Sequence, residues 1–60
     1  MTPKELETKL FCEGLTIEAE TITSDNKRIR LVSTLKGESY KLIYRRNEHY
    51  VFVIHDIIKL

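Results

Sequence analysis

The sequence predicts an α+β fold, with one N-terminal helix packed on a four-stranded antiparallel meander. Three observations predict it. Thr2-Pro3-Lys4-Glu5 has the form of a helix start. From Leu15 onward the apolar residues recur with a period of two, as in half-buried strands. Short clusters of Ser, Asp, Asn and Gly then separate these segments at hairpin distances. All of this fits within 60 residues, so residues 1–60 form a single small domain.

Thr2 is placed to cap the helix, Glu5 to reach back to it, and Pro3 stands where its missing N–H costs nothing. Leu6 and Leu10 form an apolar stripe that Phe11 widens, and Glu5 and Lys9 are spaced to pair along the surface. Gly14 ends the helix as a left-handed cap. So short a helix is marginal alone and has to dock on something else.

In the first strand Leu15, Ile17, Ala19 and Thr21 share a face, with Glu18 and Glu20 on the other. Ser24-Asp25-Asn26-Lys27 supplies turn chemistry, and if the five residues 23–27 form the loop, Glu20 is set beside Arg30. In the second strand Ile29, Leu31, Ser33 and Leu35 point inward. Gly37-Glu38 suits a two-residue type II′ hairpin, which pairs Leu35 with Tyr40, Ser33 with Leu42 and Leu31 with Tyr44. On the outer face the same register pairs Thr34 with Lys41, Val32 with Ile43 and Arg30 with Arg45. Arg46-Asn47-Glu48-His49 forms the third turn. A fourth strand from Tyr50 to about His55 reads Tyr-Val-Phe-Val-Ile, apolar on both faces. Residues 57–60 either add a fifth short strand or fold back as cover for the fourth. The expected core is Leu6, Leu10, Ile17, Ala19, Ile29, Leu31, Leu42 and Tyr44.

Composition limits the function classes. A chain this short buries only about 60% of the surface that its unfolded form exposes, so its core is thin and self-association is a natural source of further stability. One cysteine cannot form an intramolecular disulfide. Cys12, His49 and His55 are the only soft metal ligands, fewer than the four a structural zinc takes, so neither metal nor cofactor is expected. No apolar run is long enough to span a bilayer, and Met1-Thr2-Pro3-Lys4-Glu5 lacks the pattern of a secretory signal. A soluble cytoplasmic protein is the expectation. The charge is polarised: residues 1–26 carry two lysines against six carboxylates, and residues 27–60 carry eight cations against three carboxylates. Folding of the acidic half onto the basic half explains this as readily as a polyanionic partner does.

The candidate chemistries are weak one by one. Cys12 sits near a helix C-terminus, where the macrodipole disfavours a thiolate. His49 and His55 are too far apart along a strand to hold one metal ion. Glu18 and Glu20 have a spacing known from paired glycosidase carboxylates, but a bare sheet face has no cleft to raise the pKa of either. No glycine-rich phosphate loop, nucleophile elbow or Cys-x-x-Cys is present. An enzyme is therefore not expected.

Two surfaces remain. Val32, Ile43, Val51 and Val53 form an apolar candidate interface, which points to a small non-enzymatic interaction or regulatory module acting as a homo-oligomer, a dimer or a ring, with a protein partner as a further option. The alternative is an RNA- or DNA-binding regulator that uses Arg28, Arg30, Lys41, Arg45 and Arg46. In that reading, like charges facing each other at Arg30 and Arg45 call for an anion, supplied by Glu20 or by a phosphate.

Overall fold

The computed structural model of the chain describes all 60 residues, Met1–Leu60. Helix α1 spans Pro3–Glu13 and is followed by β1 (Leu15–Ile22), β2 (Lys27–Thr34), β3 (Ser39–Arg46) and β4 (Phe52–Lys59). The strands lie in chain order in one antiparallel sheet, so the expected α+β meander is the fold. There is no fifth strand: Ile57, Ile58 and Lys59 continue β4. Tyr50 and Val51 belong to the preceding loop, whose length is set by Asn47 N–H donating to Val51 O at 2.9 Å.

The helix begins as the sequence dictates. Thr2 Oγ1 accepts from the Glu5 N–H at 3.2 Å, and Glu5 Oε1 accepts from the Thr2 N–H at 3.3 Å, which closes the capping box. The surface pair on the helix is Lys4–Glu7, at 3.2 Å, in place of Glu5 with Lys9. At the other end Gly14 stops the helix, not in the expected left-handed helical conformation but with φ +100° and ψ +124°, and it donates its N–H to Leu10 O and Phe11 O at 3.1 and 3.3 Å. A Cβ there would lie 3.3 Å from Leu35 Cδ1 in a backbone region that L-residues avoid. Gly14→Ala is therefore expected to destabilise the protein by about 1–2 kcal/mol, read as a lower urea midpoint with an unchanged m-value.

The β2–β3 hairpin corrects the expected register. Gly37 N–H donates to Thr34 O at 3.0 Å, and Thr34 N–H donates to Glu38 O at 2.8 Å. With Gly37 at φ +82°, the connection is a three-residue loop, Leu35-Lys36-Gly37, whose last member is in the left-handed region. The resulting pairs are Val32 with Tyr40, Arg30 with Leu42 and Arg28 with Tyr44. Relative to a two-residue loop the register moves by an odd number of residues, which turns every β2 side chain to the opposite face. Val32 therefore enters the core, at 1% exposure, and Leu31 leaves it, at 39%. Arg30 stands opposite Leu42 instead of Arg45.

Two bulges reset the alternation elsewhere. In β1 the pairing passes from Ile17–Val32 directly to Ala19–Leu31, leaving Glu18 extra. Leu15 and Ile17 thus share the side of Val32, while Ala19 and Thr21 share the side of Leu31. Ala19, expected inside, is exposed, and Ile17 is 47% exposed. In β4 the pairing passes from Tyr44–Ile54 to Ile43–Asp56, leaving His55 extra. That bulge explains why the strand reads apolar throughout. Phe52, Ile54 and Ile57 face the helix side, and Val53, Asp56 and Ile58 face away.

The core is small: Leu10, Val32, Leu42 and Tyr44 are buried, and Leu6, Leu15, Tyr40, Phe52, Ile54 and Ile57 pack around them. Helix α1 lies chiefly against β4. At the far end of the sheet Lys59 Nζ meets Glu38 Oε2 at 2.8 Å, and the Tyr40 hydroxyl donates to the same oxygen at 3.3 Å. These contacts tie the end of β4 to the β2–β3 hairpin. The Lys59 ammonium holds the Glu38 carboxyl below its ordinary pKa, and Glu38 raises that of Lys59.

Candidate interaction surfaces

The only helix covers one face of the sheet, which leaves the other face uncovered. The register places Ala19 and Thr21 of β1, Ile29 and Leu31 of β2, Lys41, Ile43 and Arg45 of β3, and Val53, Asp56 and Ile58 of β4 on this bare face. Leu31, Val53 and Ile58 are 39%, 45% and 42% exposed. A depression of about 440 Å³ opens here between Ala19, Thr21, Ile29, Leu31, Lys41 and Leu60.

Of the four expected interface residues, Ile43 and Val53 lie on this bare face. Val32 does not: it is buried under the helix, because the three-residue hairpin turns it inward. Val51 sits in the β3–β4 loop, 55% exposed. Leu31, Ile29, Ile58 and Leu60 are the members that sequence reasoning missed. Only the length of the Gly37 hairpin could have revealed the first two.

The expected cationic row is split between the two faces. Lys41 and Arg45 lie on the bare face, whereas Arg28, Arg30 and Arg46 lie on the helix side. There Arg28 and Arg46 stack on the Phe52 ring, with guanidinium carbons 4.6 and 4.7 Å from its centroid. Arg30 lies 5.2 Å from the centroid of the Tyr44 ring. Glu20 serves two of the three, at 2.8 Å from Arg30 Nε and 3.4 Å from Arg28 Nε. The expected pairing of Glu20 with Arg30 is thus present. Burial works against the charge of Arg30, but Glu20 and Tyr44 together outweigh it and raise the pKa of the guanidinium. Neither Arg45 nor Arg46 makes an ion pair. Phe52 as the ring between two arginines was not foreseen; the signal for it is Arg46 facing Phe52 across a five-residue loop.

The remaining candidates are dispersed. Glu18, in the β1 bulge, accepts from Ser33 Oγ at 2.6 Å, which separates it from the partners of Glu20. His49 is near Glu48 at the tip of the β3–β4 loop, His55 occupies the β4 bulge, and Cys12 is exposed on the helix. No three of His, Cys, Asp and Glu converge on one point. No helix is long and apolar enough to cross a membrane. No family model matches this chain, and no characterised protein or solved structure does either.

Proposed function

We propose that the protein is a non-enzymatic interaction module that self-associates through the bare face of its sheet. One observation carries the reading: a four-stranded sheet has a helix on one side and, on the other, an uncovered face bearing Ile29, Leu31, Ile43, Val53 and Ile58. Exposed apolar surface of this extent is characteristic of interfaces.

Area favours a second copy of the chain as the occupant. Four strands of eight residues, at about 3.3 Å per residue and about 4.8 Å between strands, make a face of roughly 500 Å². Two such faces bury about 1,000 Å², the lower limit of a specific interface. Face-to-face packing at about 10 Å would also give each thin core a second layer. Pairing of strand edges is less favoured, because both edges are blunted. Bulges interrupt β1 and β4, and the Asp56 carboxylate accepts from the Ile57 N–H at 2.8 Å.

Size-exclusion chromatography with light scattering tests this. The parent chain is expected to elute as a dimer or larger assembly at micromolar concentration. Leu31→Glu and Val53→Glu are expected to be folded monomers, and Val51→Lys and Lys4→Glu are expected to elute like the parent. A parent chain that stays monomeric at about millimolar concentration refutes the proposal.

A further inference from the structure

A second surface is independent of the bare face. On the helix side, at the end of the sheet where the β1–β2 turn meets the β3–β4 loop, three arginines gather and two of them, Arg28 and Arg30, share one carboxylate, Glu20. Of the other carboxylates at this end, Glu7 is paired with Lys4 and Asp25 with Lys27, and Glu48 lies beside His49 at the tip of its loop. Arg46 has no ionic partner, and Arg28 Nε, buried without a hydrogen bond, has only the shared Glu20 carboxylate at 3.4 Å. Local positive charge is therefore in excess on this patch.

The guanidiniums are also held in place. Arg28 and Arg46 both lie against the Phe52 ring, which restricts them, so less side-chain freedom is lost when they meet an anion. Arg28 and Arg30, two residues apart on one strand, present their charges about 7 Å apart. Arg46 adds a third from the neighbouring strand.

The loop that follows Arg46 also carries an exposed aromatic ring. Tyr50 is 82% exposed, in the loop that joins Arg46 to Phe52, and its backbone has φ +60°. For a bulky residue that conformation is unfavourable, and residues held so tend to cluster where function requires them. The loop maintains it through Asn47, whose side-chain oxygen accepts from the His49 N–H at 2.8 Å and the Val51 N–H at 3.1 Å. The Asn47 carbonyl accepts from the Tyr50 N–H at 3.0 Å.

Stacked arginines spaced along a strand, next to a protruding ring, match the chemistry of a single-stranded polynucleotide, whose phosphates take the cations and whose bases take the ring. We infer that this end of the sheet binds single-stranded nucleic acid, with Arg28, Arg30 and Arg46 on the phosphates and Tyr50 stacked on a base. Duplexes suit it less, because Tyr50 can stack only on an unpaired base.

Fluorescence anisotropy with a labelled oligouridylate of about 12 nucleotides tests the inference. Three phosphate contacts predict that the logarithm of affinity falls with that of salt at a slope of about −2, and Arg46→Ala is expected to reduce the slope by about 0.7. Tyr50→Ala is expected to weaken binding about tenfold with little change in slope. Both side chains are solvent-exposed and make no ion pair, and circular dichroism would verify that the variants fold. Arg45→Ala, on the opposite face, and the monomeric Val53→Glu are expected to bind like the parent. Absence of binding at low salt overturns the inference. So does a site that responds to Arg45 but not to Arg46, or equal affinity for a duplex of the same length. None of these outcomes bears on self-association, which is read by light scattering alone.

Discussion

Leu42→Ala is expected to cost about 2–5 kcal/mol, a large share of what a domain of this size possesses. Leu42 is fully buried at the centre of the core, between Val32, Tyr44 and Leu10. Truncation leaves a cavity that a sheet fixed by hydrogen bonds on both sides cannot close. The informative comparison is Leu31→Ala. Leu31 and Leu42 sit on adjacent strands, yet Leu31 projects to the bare face at 39% exposure. In the dissociated chain its truncation is expected to cost about 1 kcal/mol or less. Urea denaturation at a concentration low enough to keep the chain monomeric, or in the Val53→Glu background, gives both values. Equal costs would mean that β2 presents Leu31 to the helix, and the three-residue hairpin would then be wrong.

The second large effect is alkaline. Tyr44 is 5% exposed, its hydroxyl is buried without a hydrogen-bond partner, and its pKa is pushed up to about 12 from the ordinary 10.0, first by burial and then by the Glu7 carboxylate beside it. Both causes penalise the phenolate in the folded state only. Because the folded pKa is the higher, the stabilising contribution is complete below pH 10 and is lost as pH rises through about 12. The total is on the order of 2–3 kcal/mol. Tyr44→Phe removes the titration together with an unsatisfied hydroxyl. It is expected to match or exceed the parent at neutral pH and to have a flatter stability profile between pH 10 and 12. An unchanged alkaline profile in Tyr44→Phe would assign the loss to another group.

The parts of the fold legible in the sequence were those set by local chemistry. The capping box at Thr2 and Glu5, the Gly14 stop and the pairing of Glu20 with Arg30 each depend on a few adjacent residues or one loop length. The facing of β2 was not legible, because Gly37 fits two hairpin types that differ by an odd step in register. In β2, Leu31 and Val32 are both plausible core residues, so hydrophobicity could not decide between them. The bulges at Glu18 and His55 left no signal of their own, since a bulge is fixed by long-range packing and not by residue type. These ambiguities propagated to the candidate sites. With β2 reversed, the alternation puts Val32 on an interface it cannot reach and merges arginines from opposite faces into one row. What survived was the inventory: the same basic and apolar residues, redistributed over two sides of the sheet.

The docking of α1 against β4 joins the first element of the chain to the last. During synthesis the helix emerges first, but an 11-residue helix is too short to persist in water by itself. Leu6 and Leu10 have no complete surface to settle on until Phe52, Ile54 and Ile57 are in place. The three hairpins can form progressively from local contacts, which favours rapid assembly of the sheet. Closure of the core waits for the last strand to leave the ribosome. A nascent chain arrested before β4 would therefore carry an unsettled helix beside exposed strands, and that interval is when the protein is most open to proteases and to mispairing with its neighbours.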